Sequence, residues 1–254
     1  MNFKNKVVLV TGASSGIGAA IAIKFSEAGA NVAIVGRNIE KLTNVAEKCK
    51  DALVVVADVS KEEDCKRIVN ETVSTFGRID VLVNSAGAFK SNSIKADNSL
   101  NIFDEVMATN LRSVVCLTHL TAKYLIQTKG NIVNISAIGS TRVVVNNFSH
   151  NASKAALDHF TRTVALELSN DGVRVNVICP GPTRTDILKN FGYTKVEEDV
   201  LWDKLSDMTA LKRISEPEEI ADLVLFIASD KAKGITGSSI VSDNGCLLTG
   251  GLMH

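Results

Sequence analysis

The stretch whose residue types and spacing most clearly imply chemistry is Thr11-Gly12-Ala13-Ser14-Ser15-Gly16-Ile17-Gly18, a Thr–Gly–x–x–x–Gly–x–Gly run. It lies directly between a β-branched apolar segment, Val7–Val10, and a stretch from Ala19 to Ala28 with apolar residues at helical spacing. A strand that breaks through glycines into a helix aims unpaired N–H groups and a partial positive charge at an anion, which suits phosphate. Gly12 is expected to permit the tight turn, Gly16 to let a pyrophosphate approach the backbone, and Gly18 to let helix pack on strand. Thr11, Ser14, Ser15 and Ile17 complete the expected contact set.

A second signal is one of charge. About 20 residues past such glycines, a protein that takes NAD carries an Asp or Glu for the ribose 2′-hydroxyl. That position is Gly36 here, followed by Arg37 and Asn38. No carboxylate repels a 2′-phosphate, and a guanidinium binds phosphate bidentately. The pattern predicts NADP(H), with NAD(H) as the alternative.

These residues need a scaffold, and the chain alternates strand and helix throughout. Apolar runs at Val7–Val10, Asn31–Val35, Leu53–Ala57, Ile79–Asn84, Asn131–Ser136, Val173–Cys179 and Ser238–Val241 read as strands. Helices are expected between them, including one around Phe103–Leu125 and others over about Asn151–Ser169 and Pro217–Ser229. Ser60, with Glu63 three residues on, is expected to cap the helix that starts at Lys61. Uninterrupted alternation means an α/β fold, with helices on both faces of a parallel sheet. No linker or repeat divides the 254 residues, so one doubly wound domain is expected over 1–254.

Composition removes other classes. The formal net charge is +0, with no long run of one sign, which argues against a nucleic-acid groove or a membrane surface. No apolar stretch reaches the roughly 20 residues of a membrane span. Cys49, Cys65, Cys116, Cys179 and Cys246 are scattered without CxxC or metal-ligand spacing, so no metal is expected. They read as free thiols of a reducing, cytoplasmic compartment, and no secretory signal is seen. His119 and His159 read as structural residues of an interface or core, and His254 is given no role.

Thr11–Gly18, Asn84-Ser85-Ala86-Gly87, Asn110, Lys154 and Pro180–Gly181 occur in order across essentially the whole chain. Together they resemble the short-chain dehydrogenase/reductase family, in its shorter type. The resemblance implies a Rossmann-type sheet of seven parallel strands, with a dinucleotide across the carboxyl ends. It implies that Asp58 and Val59 contact adenine, and that Asn84, Ala86 and Gly87 border the nicotinamide ribose. It also implies that Pro180, Gly181, Thr183 and Thr185 contact the cofactor, Thr185 through phosphate or carboxamide. A lid over about residues 187–212 follows from the same likeness. Its Leu188, Leu201, Leu205, Met208 and Leu211 suit either a lipophilic ligand or an ordinary core. A homo-oligomer, tetramer or dimer, is implied on the helices near Phe103–Leu125 and Asn151–Ser169.

Members of that family move a hydride to or from a carbonyl carbon with a Ser–Tyr–Lys set assisted by Asn. Tyr is the acid, Ser holds the oxygen, Lys binds ribose and lowers the Tyr pKa, and Asn positions a water. Lys154 and Asn110 match. The Tyr position, four residues before the Lys, holds His150, and the Ser position, thirteen before that, holds Ala137. An imidazole is closer to neutrality, at about 6.5 against about 10 for a phenol, but it is shorter, and Lys154 disfavours its charged form. Ser136 points to the other face of a regular strand, and Ser140 and Ser149 lie in the following loop. Two readings follow. One is a weak or atypical NADP(H)-dependent oxidoreductase for a carbonyl or secondary alcohol, with His150 as candidate proton donor. The other is a non-catalytic dinucleotide-binding protein that holds an apolar ligand or a partner protein.

Overall fold

The computed structural model describes residues 1–186, 188 and 192–249; His254 and positions 187 and 189–191 of the expected lid lie outside the described residues. The strands are β1 Val7–Thr11, β2 Asn31–Gly36, β3 Leu53–Val56, β4 Val81–Asn84, β5 Asn131–Ile135, β6 Arg174–Pro180 and β7 Ser239–Ser242. They form one parallel seven-stranded sheet in the order β3-β2-β1-β4-β5-β6-β7. Parallel strands covered on both faces must be apolar at successive positions, which is why β1 reads Val-Val-Leu-Val and is buried along its length.

The helices are α1 Gly16–Glu27, α2 Ile39–Ala46, α3 Glu62–Phe76, α4 Ser99–Met107, α5 Ser113–Thr128, α6 Phe148–Glu167, α7 Lys195–Asp207 and α8 Pro217–Ala228. Alternate strand residues feed two cores. Val8, Val10, Ile34 and Val83 pack with Ile21 and Phe25 of α1 and Ile220 and Val224 of α8. Leu9, Val35, Leu82 and Ile132 pack on the opposite face with Ile68 of α3, Leu117 of α5 and Val164 of α6. Burying a side chain such as Phe25 contributes about 1.5–3 kcal/mol.

The sheet order reverses beside β1. Strands β2 and β3 extend to one side, while the chain then crosses to β4 and continues outward. The register sets Thr11 level with Val35 on one side and Asn84 on the other. A crevice therefore opens at the carboxyl ends of β1 and β4, where doubly wound sheets hold ligands.

Two expectations are corrected. Ser60 does not cap α3: its N–H and Oγ–H both donate to Asp58 Oδ1, at 3.0 and 2.8 Å. Lys61 holds the N-cap position without a side-chain bond, and Glu62, Glu63 and Asp64 supply the negative charge that this helix end favours. The helix expected over Phe103–Leu125 begins earlier, at Ser99, and is interrupted by a π-helical turn over Ala108–Arg112. An inserted residue of this kind re-aims one side chain, here Asn110. Of the two places expected for His119 and His159, exposure on α5 and α6 excludes the core and leaves the interface. No helix among the described residues is long and apolar enough to cross a membrane.

Candidate active site

The glycine turn is built by close backbone approach. A Cβ on Gly12 would lie 2.7 Å from Ala86 Cα and N and 2.8 Å from the Ser85 carbonyl, and its φ is +68°. One on Gly18 would run into the Gly12 carbonyl, so helix and strand meet there as expected. Gly16, at φ +54°, faces the Thr185 methyl, 2.9 Å from where its Cβ would be. Thr185 is thereby set over the N-terminus of α1. Thr11 Oγ1 accepts from the N–H groups of Ser85 and Ala86, both at 3.2 Å, and so ties the end of β1 to the segment after β4.

Beside this turn a cleft of about 460 Å³ opens between Ser14, Ser15 and Gly16, Lys41 and Lys48 of the α2 side, and Arg184 to Asp186. A Lys41–Asp186 ion pair of 3.2 Å spans it. It does not reach His150 or Lys154. Gly36 packs on Ser14, whose Cβ and Oγ would lie 3.1 and 3.2 Å from an added Cβ. Arg37 is exposed, and no ion pair among the described residues engages it. The Asn38 side chain accepts from Lys41 N–H at 2.9 Å and serves as the α2 cap.

The catalytic candidates meet on the other side of β4. Asn110 is buried, and its Oδ1 accepts from Ala88 N–H at 2.7 Å. Its amide donates to the Ala88 carbonyl and to Ser153 Oγ, both at 3.0 Å. Both donors are thus committed to protein, and one lone pair on Oδ1 remains for a water. Lys154 Nζ donates to the Ile135 carbonyl at 2.8 Å. Gly87 brings the two together: its added Cβ would lie 3.7 Å from Asn110 Oδ1 and 3.9 Å from Lys154 Nζ.

His150 stacks edge-on against Phe89, with ring centroids 4.8 Å apart. Burial, seconded by the Lys154 charge, lowers its pKa to about 4, while the Ala88 carbonyl draws it the other way. The imidazole is therefore neutral near pH 7, and its Nδ1 is buried without a partner. Burial likewise lowers Lys154, to about 8, against the pull of Asp158. No nearby serine takes the missing place. Ser136 Oγ turns inward and donates to the Lys154 carbonyl at 3.3 Å. Ser149 is fully buried and receives the Asn92 amide at 2.7 Å, and Ser140 Oγ is buried.

The remaining candidates divide between cleft and framework. Asn84 points into the sheet, where its amide donates to Asn134 Oδ1 at 2.9 Å, so its side chain supports the strand ends. Asp58 accepts from Ser60, and Val59 is buried with its carbonyl taking the Cys65 thiol at 3.2 Å. Pro180 ends β6 opposite Ser242, and Gly181 permits the close approach of Asp243. Thr183 turns back on the Gly181 carbonyl at 3.1 Å. In the expected lid, Leu188, Trp202 and Ile214 form a small core with Leu201 and Leu205, while Leu211 is exposed. Phe89 and Ser153 were not singled out in the sequence. Their only signals are position: Phe89 follows Asn84–Gly87 closely, and Ser153 lies one turn after His150.

Comparison with known proteins gives consistent matches. The family model described as enoyl-(acyl carrier protein) reductase matches residues 12–246. An uncharacterized oxidoreductase of Thermotoga maritima is 38% identical over 250 residues, covering 96% of this chain and 98% of that one. A short-chain dehydrogenase/reductase of unknown function from Caenorhabditis elegans, solved with cofactor, superimposes with a TM-score of 0.92 at 34% identity, covering 97% and 96% of the two chains. L-sorbose reductase from Gluconobacter frateurii, solved with NADPH and L-sorbose, gives 0.91 at 30% identity over 97% and 98%.

Proposed function

The chain belongs to the short-chain dehydrogenase/reductase family, and we propose that it binds NADP(H) and acts as an atypical oxidoreductase on a carbonyl or secondary alcohol. The observation that carries this reading is the meeting of Lys154, Asn110 and Gly87 at the carboxyl edge of the sheet, beside the glycine turn. When bound, the nicotinamide supplies or takes the hydride. Lys154 holds the ribose as an ammonium, and the α1 N-terminus receives the pyrophosphate. Arg37, exposed and free of ion pairs among the described residues, takes the 2′-phosphate, and the absence of a carboxylate at Gly36 supports that choice.

The proton is the weak point. At neutral pH His150 is a neutral ring whose N–H is drawn by the Ala88 carbonyl, so it brings no imidazolium proton and water must supply the proton to the substrate oxygen. Val143 to Val145, exposed in the loop between Ala137 and His150, support a lipophilic small-molecule substrate. Exposed Val115 on α5 and Leu166 on α6 support a homo-oligomer on those helices.

Ala137 and the neutral His150 favour a second reading, a dinucleotide-binding protein without turnover. Fluorescence titration with NADPH and NADH, paired with turnover on diketones, quinones and steroids, decides between them. Slow wild-type turnover that vanishes in His150→Ala supports the first. Saturable NADPH binding without turnover, together with activity gained in Ala137→Ser/His150→Tyr, overturns it in favour of the second. Absence of dinucleotide binding overturns both.

A further inference from the structure

We propose that Asp158, gripped by the thiol of Cys179, is a positioning residue that supplies the counter-charge holding the Lys154 ammonium in place beneath the cleft. The inference deepens the reading above and rests on it only where Lys154 is taken to face the cofactor ribose.

Lys154 is 5% exposed, and the Ile135 carbonyl is its one hydrogen-bond partner among the described residues. A buried ammonium with a single neutral acceptor is costly unless a negative charge lies near. Asp158 follows it by four residues on α6, so the two side chains share one face of the helix. Asp158 is itself 7% exposed and forms no direct ion pair among the described residues. Its carboxylate instead faces Cys179 Sγ of β6, 3.6 Å from Oδ2 and 3.9 Å from Oδ1. Burial and the Asp158 charge push that thiol up to about 12, so it stays an S–H donor and not a rival anion.

Among the described residues the surroundings leave Asp158 as the one counter-charge. On α6, His150 faces Lys154 as a neutral ring; on β6 stands the neutral Cys179 thiol. From β5 come the Ile135 carbonyl and the following Ser136 hydroxyl, and from the π turn the Asn110 amide, none of them charged. Asp158 is thus the attraction that offsets burial at Lys154, while the neutral Cys179 thiol holds its carboxylate in place.

The test follows Lys154 directly, by NMR of protein labelled at the lysine side-chain carbon, with its signal assigned by loss in Lys154→Met. Wild-type Lys154 is expected to titrate near pH 8. In Asp158→Asn the midpoint is expected about one pH unit lower, with NADPH affinity at pH 8 reduced about five- to tenfold. Cys179→Ala moves the midpoint the same way by a smaller amount, and Cys179→Ser restores it. An unchanged midpoint in a folded Asp158→Asn protein overturns the proposal, whatever happens to thermal stability. If Asp158→Asn fails to fold, Cys179→Ala against Cys179→Ser decides by the same midpoint. A lowered midpoint without loss of NADPH affinity upholds Asp158 and overturns only the placing of Lys154 at the ribose.

Discussion

On α6, His150 and Lys154 lie one turn apart, and burial favours the neutral form of both. Between about pH 4 and about pH 8 the imidazole is neutral while the lysine is charged. Dinucleotide affinity is accordingly expected to fall as pH rises through about 8, measured by fluorescence titration. The sign for stability follows from the lowered imidazole pKa. Folded His150 binds its proton only near pH 4, whereas the unfolded chain binds it near the ordinary 6.5. Its contribution is full above about pH 6.5 and is lost as pH falls through about 4. His150→Phe, which keeps the stack on Phe89, should flatten the decline in urea-unfolding free energy over that window. Restoring the acid and the oxyanion donor together, in Ala137→Ser/His150→Tyr, should raise kcat about 100-fold or more at unchanged NADPH affinity. The replacement of Ser and Tyr was legible in the sequence, because spacing from Lys154 locates both positions. The burial that neutralises His150 was not, because Phe89 and Ala88 come from a different strand end.

Among elements, the turn between β1 and α1 depends on backbone contact more than on loop freedom. Gly12→Ala would meet main-chain atoms of Ser85 and Ala86, which cannot rotate away, whereas Gly16→Ala would meet the Thr185 methyl. Urea denaturation should show the first to be the more destabilising, by at least 2 kcal/mol, with Gly16→Ala costing roughly 1 kcal/mol for its positive φ. An equal cost at both positions would contradict the role given to Ser85–Ala86. Most elements were readable because buried parallel strands need β-branched runs whatever their neighbours. The π turn at Asn110 was not, since nothing local distinguishes Ala-Thr-Asn-Leu-Arg from a continuing helix; its amide pairs with Ala88, twenty-two residues away. Ser60 misled for the opposite reason, as the nearer Asp58 carboxylate captures its hydroxyl. For α7 a usable signal was present. Thr194 and Glu197 form a full capping box, and Thr-x-x-Glu stands in the sequence.

At the scale of the whole molecule, the outer faces of α5 and α6 expose Val115, Ile126 and Leu166 beside polar residues such as His119 and Arg162, with Leu166 77% exposed. Light scattering should find an oligomer, and Leu166→Asp should shift it toward smaller species without loss of helical content. Assembly is the part of the molecule least legible in a single chain, because exposed leucine is common on monomers too. Another whole-molecule property concerns how such a sequence changes over time. Gly36 sits with its missing Cβ 3.1 Å from Ser14 Cβ and 3.2 Å from its Oγ. An acid at position 36, introduced to favour NAD, therefore requires Ser14 to give by a few tenths of an ångström, with Leu42 Cδ2 a further neighbour at 3.4 Å. Ser14→Gly made before Gly36→Asp relieves the two tighter contacts, whereas the reverse order meets them first. The proposed preference for NADP(H) is thus coupled to the packing of two residues, in which an atom without chemistry of its own bears on the path that evolution or an engineer can follow.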